Sequence, residues 1–159
     1  MGTVIVLVMV VYFIFFIYGF VSYAFNSYGL YELARAEDEP KAILAWIPYI
    51  NKYILGKIAF ESTAQGVILA SLGLISAIFA LITLFISSSE MALYICSAIS
   101  LILSLILAIY TFVARYKVYK KYSKSTILMT VFDVISLGIL GPFFIFAIKH
   151  NDKVEQEKE

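Results

Sequence analysis

Reactive side chains are scarce in this chain of 159 residues, which has one cysteine, one histidine and three prolines. The single cysteine, Cys96, permits no disulfide within the chain and lies in an apolar block, where a small buried hydrophobe is its simplest role. The histidine, His150, lies far from Cys96, so no cluster of histidine, cysteine and carboxylate predicts a metal site. No glycine-rich phosphate loop is present. We therefore expect no enzymatic activity and no cofactor.

Charged residues are also scarce, at 14% of the chain, whereas soluble domains carry about 25%. The formal net charge is +1, which gives no overall field to attract nucleic acid, and we expect no nucleic-acid partner. Hydrophobic residues make up 62% of the sequence and are arranged in long blocks. This arrangement is typical of a polytopic membrane protein rather than of a large soluble core.

The apolar blocks predict an all-α membrane protein with a single integral membrane domain of four transmembrane helices. The predicted spans are residues 3–25, 66–86, 91–114 and 127–148. The first block has no lysine or arginine before Arg35 and is longer than the apolar region of a signal peptide, so we expect it to be a retained span. We expect Asn26, Ser27 and Gly29 to end it. Residues 87–90 form a tight loop in this prediction, and residues 149–159 a polar tail.

Residues 42–60 are apolar and almost long enough to cross a membrane, but they contain Pro48, Asn51, Lys52 and Lys57. In a spanning segment Lys52 would lie near the bilayer centre, at a cost of about 2.5–3.5 kcal/mol. After Pro48, by contrast, the apolar residues fall on one face of a helix; they are Ile50, Tyr53, Ile54 and Ile58. We therefore predict an interfacial amphipathic element with a shallow re-entrant turn at Pro48.

The distribution of basic residues predicts the orientation. The connection 26–65 carries four basic residues, the second connection none, and residues 115–126 five. Since positive loops stay cytoplasmic, both basic loops are expected inside and the N-terminus outside. Four spans would then place the tail and its lysines outside. The alternative is a last span that bends at Gly138–Pro142 and returns, which would bring the tail inside.

Asp133 is the ionisable residue inside a predicted span, and such a residue is a functional hypothesis by default. The candidate polar site comprises Asp133 with Asn51, Lys52 and Lys57, because the element that carries both lysines is expected on the same membrane face. Two interpretations are open: a structural pairing or solvated cleft, and a role in handling an ion or substrate.

Small residues recur at helical spacing along the second and third predicted spans, where they permit close helix approach in lipid. Candidate packing residues are Gly66, Ala70, Gly73, Ala77, Ser97, Ser100 and Ser104. They predict packing within the molecule, with contact to another copy or to another membrane protein as the alternative.

The segment "RYKVYKKYSK" alternates tyrosines with cations directly after a span, which is typical of an anchor to anionic lipid headgroups. Docking of a protein partner is the alternative. The predicted lipid-anchoring residues are Trp46, Arg115, Lys117, Lys120, Lys121 and Lys124.

Two stretches resemble a family of small, uncharacterised, multi-spanning bacterial membrane proteins, some of which are labelled signal-peptidase-associated. Their "A-x-I-P-x-x-N-x-x-x-L-x-K-I" signature is matched by Ala45, Ile47, Pro48, Asn51, Leu55, Lys57 and Ile58. Their closing pattern is matched by Lys121, Ser123, Lys124, Pro142 and Phe143. The resemblance covers about a third of the chain. It implies a location in the bacterial cytoplasmic membrane and no known catalytic residue.

These observations predict a non-enzymatic membrane component that binds lipid and other membrane proteins, as an accessory subunit of a transport, secretion or processing complex, or that forms a homo-oligomer. One alternative is an immunity protein that protects the cell from a membrane-active peptide. A further alternative is a small channel or carrier that uses Asp133.

Overall fold

A computed structural model describes residues 2–85 and 90–153, and within these ranges the chain is helical without strands. The described residues form six α-helices: α1 (Gly2–Ala36), α2 (Asn51–Phe60), α3 (Thr63–Phe85), α4 (Glu90–Tyr122), α5 (Thr126–Ile135) and α6 (Gly141–Ala147). A short 3-10 helix, Ala42–Trp46, precedes α2. The predicted loop 87–90 lies outside the described residues except for Glu90, as does the tail beyond residue 153.

Helices α1, α3 and α4 are each long and apolar enough to cross a membrane, so the described residues contain three such helices. The observed α3 agrees with the predicted span 66–86 to within three residues at its start. The other two continue past their predicted ends at residues 25 and 114.

The polar residues after the first apolar block do not end α1, contrary to the prediction. Leu30, Leu33 and Ala34 form a stripe that is fully buried, and Ser27 is buried with them. Gly29 lies so close to α6 that an added Cβ would be 2.9 Å from the backbone of Ile145. Tertiary packing of this stripe therefore extends the helix through a sequence of low propensity.

Residues 42–60 form a first hairpin, which comprises the 3-10 helix, a turn at Pro48–Tyr49 and α2. Tyr49 has a φ of 64° in this turn. The Tyr23 hydroxyl of α1 donates a hydrogen bond to the carbonyl of Trp46 near the turn. At the opposite end of the hairpin, an ion pair joins Glu39 to Lys57 of α2. The predicted turn at Pro48 and the predicted apolar face are present, but that face packs against protein.

Residues 126–148 form a second hairpin rather than one continuous helix. Helix α5 has 10 residues and α6 has 7, so at 1.5 Å per residue neither covers the roughly 30 Å of a bilayer core. The turn between them contains Leu137 and Gly138, both with positive φ. Beyond α6, the Asn151 side-chain amide donates to the carbonyl of Tyr122 at 2.9 Å, so the chain returns to where it left α4. The predicted continuous fourth helix is therefore not observed, whereas the predicted bend is.

The first hairpin contacts all three long helices, and the second contacts two of them. The first follows α1 and also packs against α3 and α4, and the second follows α4 and packs its α6 against α1. The buried core lies where these contacts converge, and its members include Leu30, Leu33, Ile54, Ile58, Leu69, Val118, Tyr119 and Ile145. Val118, Tyr119 and Tyr122 in this core explain why α4 continues past the predicted end of its span.

The small residues of α3 make the close approach that the sequence predicts. Gly56 of α2 faces Gly66 of α3, and a Cβ added to Gly56 would lie only 2.9 Å from the Cα of Gly66. Ser76 and Ser104 join α3 to α4 through a 3.2 Å hydrogen bond between their hydroxyls. Ala70 and Gly73 are buried and Ala77 and Ser100 half-buried, whereas Ser97 is exposed, which corrects its assignment to the packing stripe.

We predict that Gly66→Ala destabilises the fold although alanine is the better helix former. Its Cβ would lie 2.6 Å from the Tyr53 carbonyl, so the packed α2–α3 pair must move apart, at about 1–3 kcal/mol. The measurement is the thermal unfolding midpoint of the full chain in detergent. Gly19→Ala is the control, because an added Cβ there meets no atom within 4 Å. An unchanged midpoint for Gly66→Ala would show that this approach is not tight.

Candidate functional site

Asp133 is the only residue of α5 that is buried, at 1% exposure. Its carboxylate accepts a hydrogen bond from the Tyr119 hydroxyl at 3.0 Å and lies 3.3 Å from the Arg115 guanidinium. Both partners lie on α4, one helical turn apart. The second hairpin is therefore fastened to α4 by one carboxylate, whose charge is balanced by a cation and whose other oxygen is bound by a phenol.

The same two α4 side chains hold the turn of the second hairpin. Arg115 also donates to the carbonyl of Gly138 at 3.2 Å, and the Tyr119 hydroxyl lies 3.4 Å from the carbonyl of Gly141. Gly138 has a φ of +85°, which other residues rarely adopt, and a Cβ on Gly141 would overlap the Arg115 guanidinium. Glycine is thus required at both positions, at one for its conformation and at the other for space.

The predicted partners of Asp133 were wrong. Lys57 forms an ion pair with Glu39 instead, and Lys52 lies with its aliphatic stem over Gly73 of α3. Asn51 is half-buried at the start of α2. Arg115, which the sequence assigned to lipid anchoring, is the ion-pair partner. The signal for this was available: Arg115 is the first charge after the apolar run 91–114, and its long side chain can reach back along α4 toward the depth of Asp133.

A second charged cluster closes the other end of both hairpins. Lys121 of α4 lies 2.5 Å from Glu37 and 2.7 Å from Glu61, and Lys153 of the tail lies 3.6 Å from Glu37. The Tyr122 hydroxyl donates to Glu37 as well. The cluster ties the end of α1, the α2–α3 turn, the end of α4 and the tail together. It also shows that the tail returns to the end of the fold at which the first hairpin begins.

Two groups in this cluster region, outside the long helices, have shifted pKa values. The hydrogen bond from Lys121 holds the pKa of Glu61 below its ordinary value, and the hydrogen bond with Glu39 raises the pKa of Lys57. The contribution of Glu61 to stability is therefore present above the ordinary glutamate pKa and disappears as the pH falls through the lowered value. Because Glu61 is well exposed and Lys57 is partly exposed, solvent screening keeps these contributions small.

The predicted lipid-anchoring residues divide into two groups. The charges of Arg115 and Lys121 are engaged inside the protein, which corrects their assignment. Lys117 lies over the ring of Phe60, 4.3 Å from its centroid. Lys120 and Lys124 line an open groove along α5, and Trp46 remains partly exposed beside Tyr28.

A cavity of about 250 Å³ lies between Lys52, α4 and the turn of the second hairpin. Lys52 and Arg115 both line it, together with apolar residues of α4 and with Leu137. Within residues 2–85 and 90–153, no carboxylate lies within ion-pair distance of Lys52. The cavity thus brings two cations together on a surface that also contains apolar side chains and the hydroxyl groups of Ser104 and Thr111.

The described residues contain no group of three or more histidine, cysteine, aspartate or glutamate side chains placed to hold a metal ion. Comparison with known proteins found no matching family model, no matching curated protein and no matching solved structure.

We predict that breaking the Arg115–Asp133 pair from either side destabilises the protein by about 3–5 kcal/mol, because each single change leaves a buried charge uncompensated. The test compares the unfolding midpoints of Asp133→Asn, Arg115→Met and the double variant in nanodiscs. The double variant, which buries no charge, should lose less than the sum of the two single losses.

Glu61→Gln is the control for these variants, because it also removes one carboxylate from an ion pair but does so at an exposed position. It should change stability by about 0–1 kcal/mol. Strictly additive losses for the two single variants would contradict a direct interaction between Arg115 and Asp133.

Proposed function

We propose that this chain is a non-enzymatic integral membrane protein that binds another membrane protein through its first transmembrane helix. The observation that carries the proposal is that every residue of α1 from Val4 to Ile17 is exposed. By contrast, the later part of α1 is packed on α6, on the 3-10 helix and on α2. The first part of α1 is thus an apolar helix surface about 21 Å long, at 1.5 Å per residue, without an intramolecular partner.

An all-round exposed helix is stable in lipid, so exposure alone does not require a partner. Two further features support one. The half of α1 that bears the hairpins is held firmly by the core and the charged cluster, so the exposed half is presented in a fixed direction. Gly19, which lies just beyond this exposed part, is itself exposed and has no atom within 4 Å of an added Cβ, which leaves room for a close helix approach. These features favour an accessory or partner-binding subunit.

The membrane arrangement that we propose has three spans and two re-entrant hairpins. Both hairpins open at the end of the fold that carries Glu37, Lys121 and Lys153, and both basic connections lie at that end. Positive loops stay cytoplasmic, so this end is assigned to the cytoplasm of a bacterial cell and the N-terminus to the outside. The irregular turns at Pro48 and Gly138 are then shielded by α1 and α4, as non-helical backbone at membrane depth requires.

This arrangement predicts that cysteines at 124 and 152 react with a membrane-impermeant thiol reagent from the same side. In a Cys96→Ala background, Lys124→Cys and Asp152→Cys should both label only after the membrane is opened, whereas Ser88→Cys should label in intact cells. Labelling of position 152 in intact cells would indicate that residues 126–148 cross the membrane as a fourth span.

The partner hypothesis predicts that a photo-crosslinking amino acid at Phe13 captures one membrane protein in the native host. Phe13 lies on α1 and is 64% exposed. The matched control is Leu105 on α4, which is 59% exposed and also faces lipid in this arrangement. We expect a discrete adduct at position 13, in stoichiometric yield relative to the purified chain, and none at position 105.

An adduct identified by mass spectrometry as the chain itself would make the partner a second copy. Equal adducts at both positions, or none at either, would contradict a docking role for α1. In that case the immunity hypothesis becomes the one to examine, by measuring survival of cells with and without the chain in the presence of membrane-active peptides.

The channel or carrier hypothesis is not favoured by the site. Its required carboxylate, Asp133, is 1% exposed, is ion-paired with Arg115 and is hydrogen-bonded by Tyr119. A carboxylate with both oxygens engaged inside the protein is suited to fastening a hairpin rather than to exchanging ions with water.

A further inference from the structure

The cavity between Lys52 and Arg115 holds an excess of positive charge at membrane depth. Arg115 directly follows the apolar run 91–114, so the Cα of Arg115 marks the membrane boundary. The Lys52 stem lies over Gly73, seven residues further along α3 than Gly66, at which the apolar run of that helix begins. At 1.5 Å per residue, Lys52 is therefore about 10 Å inside this boundary.

Asp133 compensates only one of these two cations. It is the carboxylate that pairs with Arg115, and the described residues place no carboxylate within ion-pair distance of Lys52. An ammonium at this depth costs about 2.5–3.5 kcal/mol when unpaired, so an anion from outside the protein would be bound favourably.

The walls of the cavity indicate what kind of anion fits. Beside the two cations, the lining includes the apolar side chains of Leu107, Ala108 and Phe112 on α4. Leu137, in the turn of the second hairpin, completes the rim and is 86% exposed. The cavity thus opens sideways onto the surface that faces lipid. A ligand with an anionic head and an apolar body matches both the charge and the exit.

We propose that the Lys52–Arg115 cavity binds the phosphate group of an anionic membrane lipid, with the acyl chains leaving past Leu137 along α4. A guanidinium and an ammonium together are the usual recognition set for phosphate, and basic pockets between transmembrane helices are known sites for anionic headgroups. This site differs from the predicted surface anchoring by Lys120 and Lys124. It does not depend on a protein partner for α1.

The test measures retention of phosphatidylglycerol by the purified full-length chain, by native mass spectrometry from detergent micelles. Lys52→Gln should weaken binding by at least about tenfold, because it removes one of two charges that contact the phosphate away from water. Lys41→Gln is the control: it removes the same charge from an exposed residue outside the cavity and should leave the affinity within about twofold.

A second variant separates loss of the site from loss of the fold. Ala108→Trp fills the cavity from the exposed face of α4 and keeps both cations. It should abolish retention of the lipid while the unfolding midpoint in lipid-free detergent is unchanged. Lys52→Arg, which restores the charge, should recover most of the binding.

Three results would overturn the proposal. Lys52→Gln could retain the lipid as well as the native chain, or Lys41→Gln could lose it equally, which would show surface attraction without a site. Inorganic phosphate at millimolar concentration could displace phosphatidylglycerol from the native chain, which would make a soluble anion the ligand. Because the assay contains no partner protein, these results are independent of the crosslinking at Phe13.

Discussion

The buried contact of Asp133 with Arg115 and Tyr119 is the interaction on which the arrangement of the second half depends. Helix α5 fully buries no other side chain and packs only Met129 partly against the core, so apolar packing contributes little to its position. In lipid this is expected, because apolar side chains gain little from exchanging lipid for protein. A carboxylate, by contrast, is far more stable when it is paired inside the protein than when it is left as an unpaired charge in hydrocarbon. One polar residue therefore positions the second hairpin, as an apolar stripe positions a helix in a soluble protein.

The first hairpin is held differently, by close backbone approach. Gly56 and Gly66 bring α2 and α3 together at a distance that no larger residue permits, and the buried face of α2 fills the space toward α4. The two hairpins thus reach similar positions between the long helices by two distinct means. In both, an irregular turn is covered by α1: Tyr23 binds the carbonyl of Trp46, and Tyr18 that of Ile139. Such hydroxyl contacts provide the hydrogen bonds that water cannot supply within a bilayer.

Charge is distributed in layers along the molecule. The outer layer is the cluster of Glu37, Glu61, Lys121 and Lys153, in which carboxylates and amines balance. The inner layer, at Lys52, Arg115 and Asp133, has one positive charge in excess. A balanced layer closes the structure at the water boundary, whereas an unbalanced one deeper in the protein leaves a place for an anionic ligand. The exposed surface of α1 that is proposed to bind a partner lies apart from both layers, so the two proposals concern separate parts of the chain.

The sequence by itself determined the helical class, three of the four predicted spans, the turn at Pro48 and the positions of Asp133, Gly66 and Gly73 as sites of polar or close contact. These follow from hydropathy, from proline and glycine chemistry and from the cost of charge in lipid, all of which act locally. Only the tertiary structure decided where α1 and α4 end, because Leu33 and Val118 stabilise those ends through contacts distant in sequence. It also decided which cation pairs with Asp133. That residues 126–148 turn back was likewise decided by the tertiary structure, because the hydropathy of a segment does not indicate whether the segment crosses the membrane or returns. A basic residue next to a span is equally suited to lipid, to water or to a buried carboxylate, and its partner is fixed only when the helices have packed.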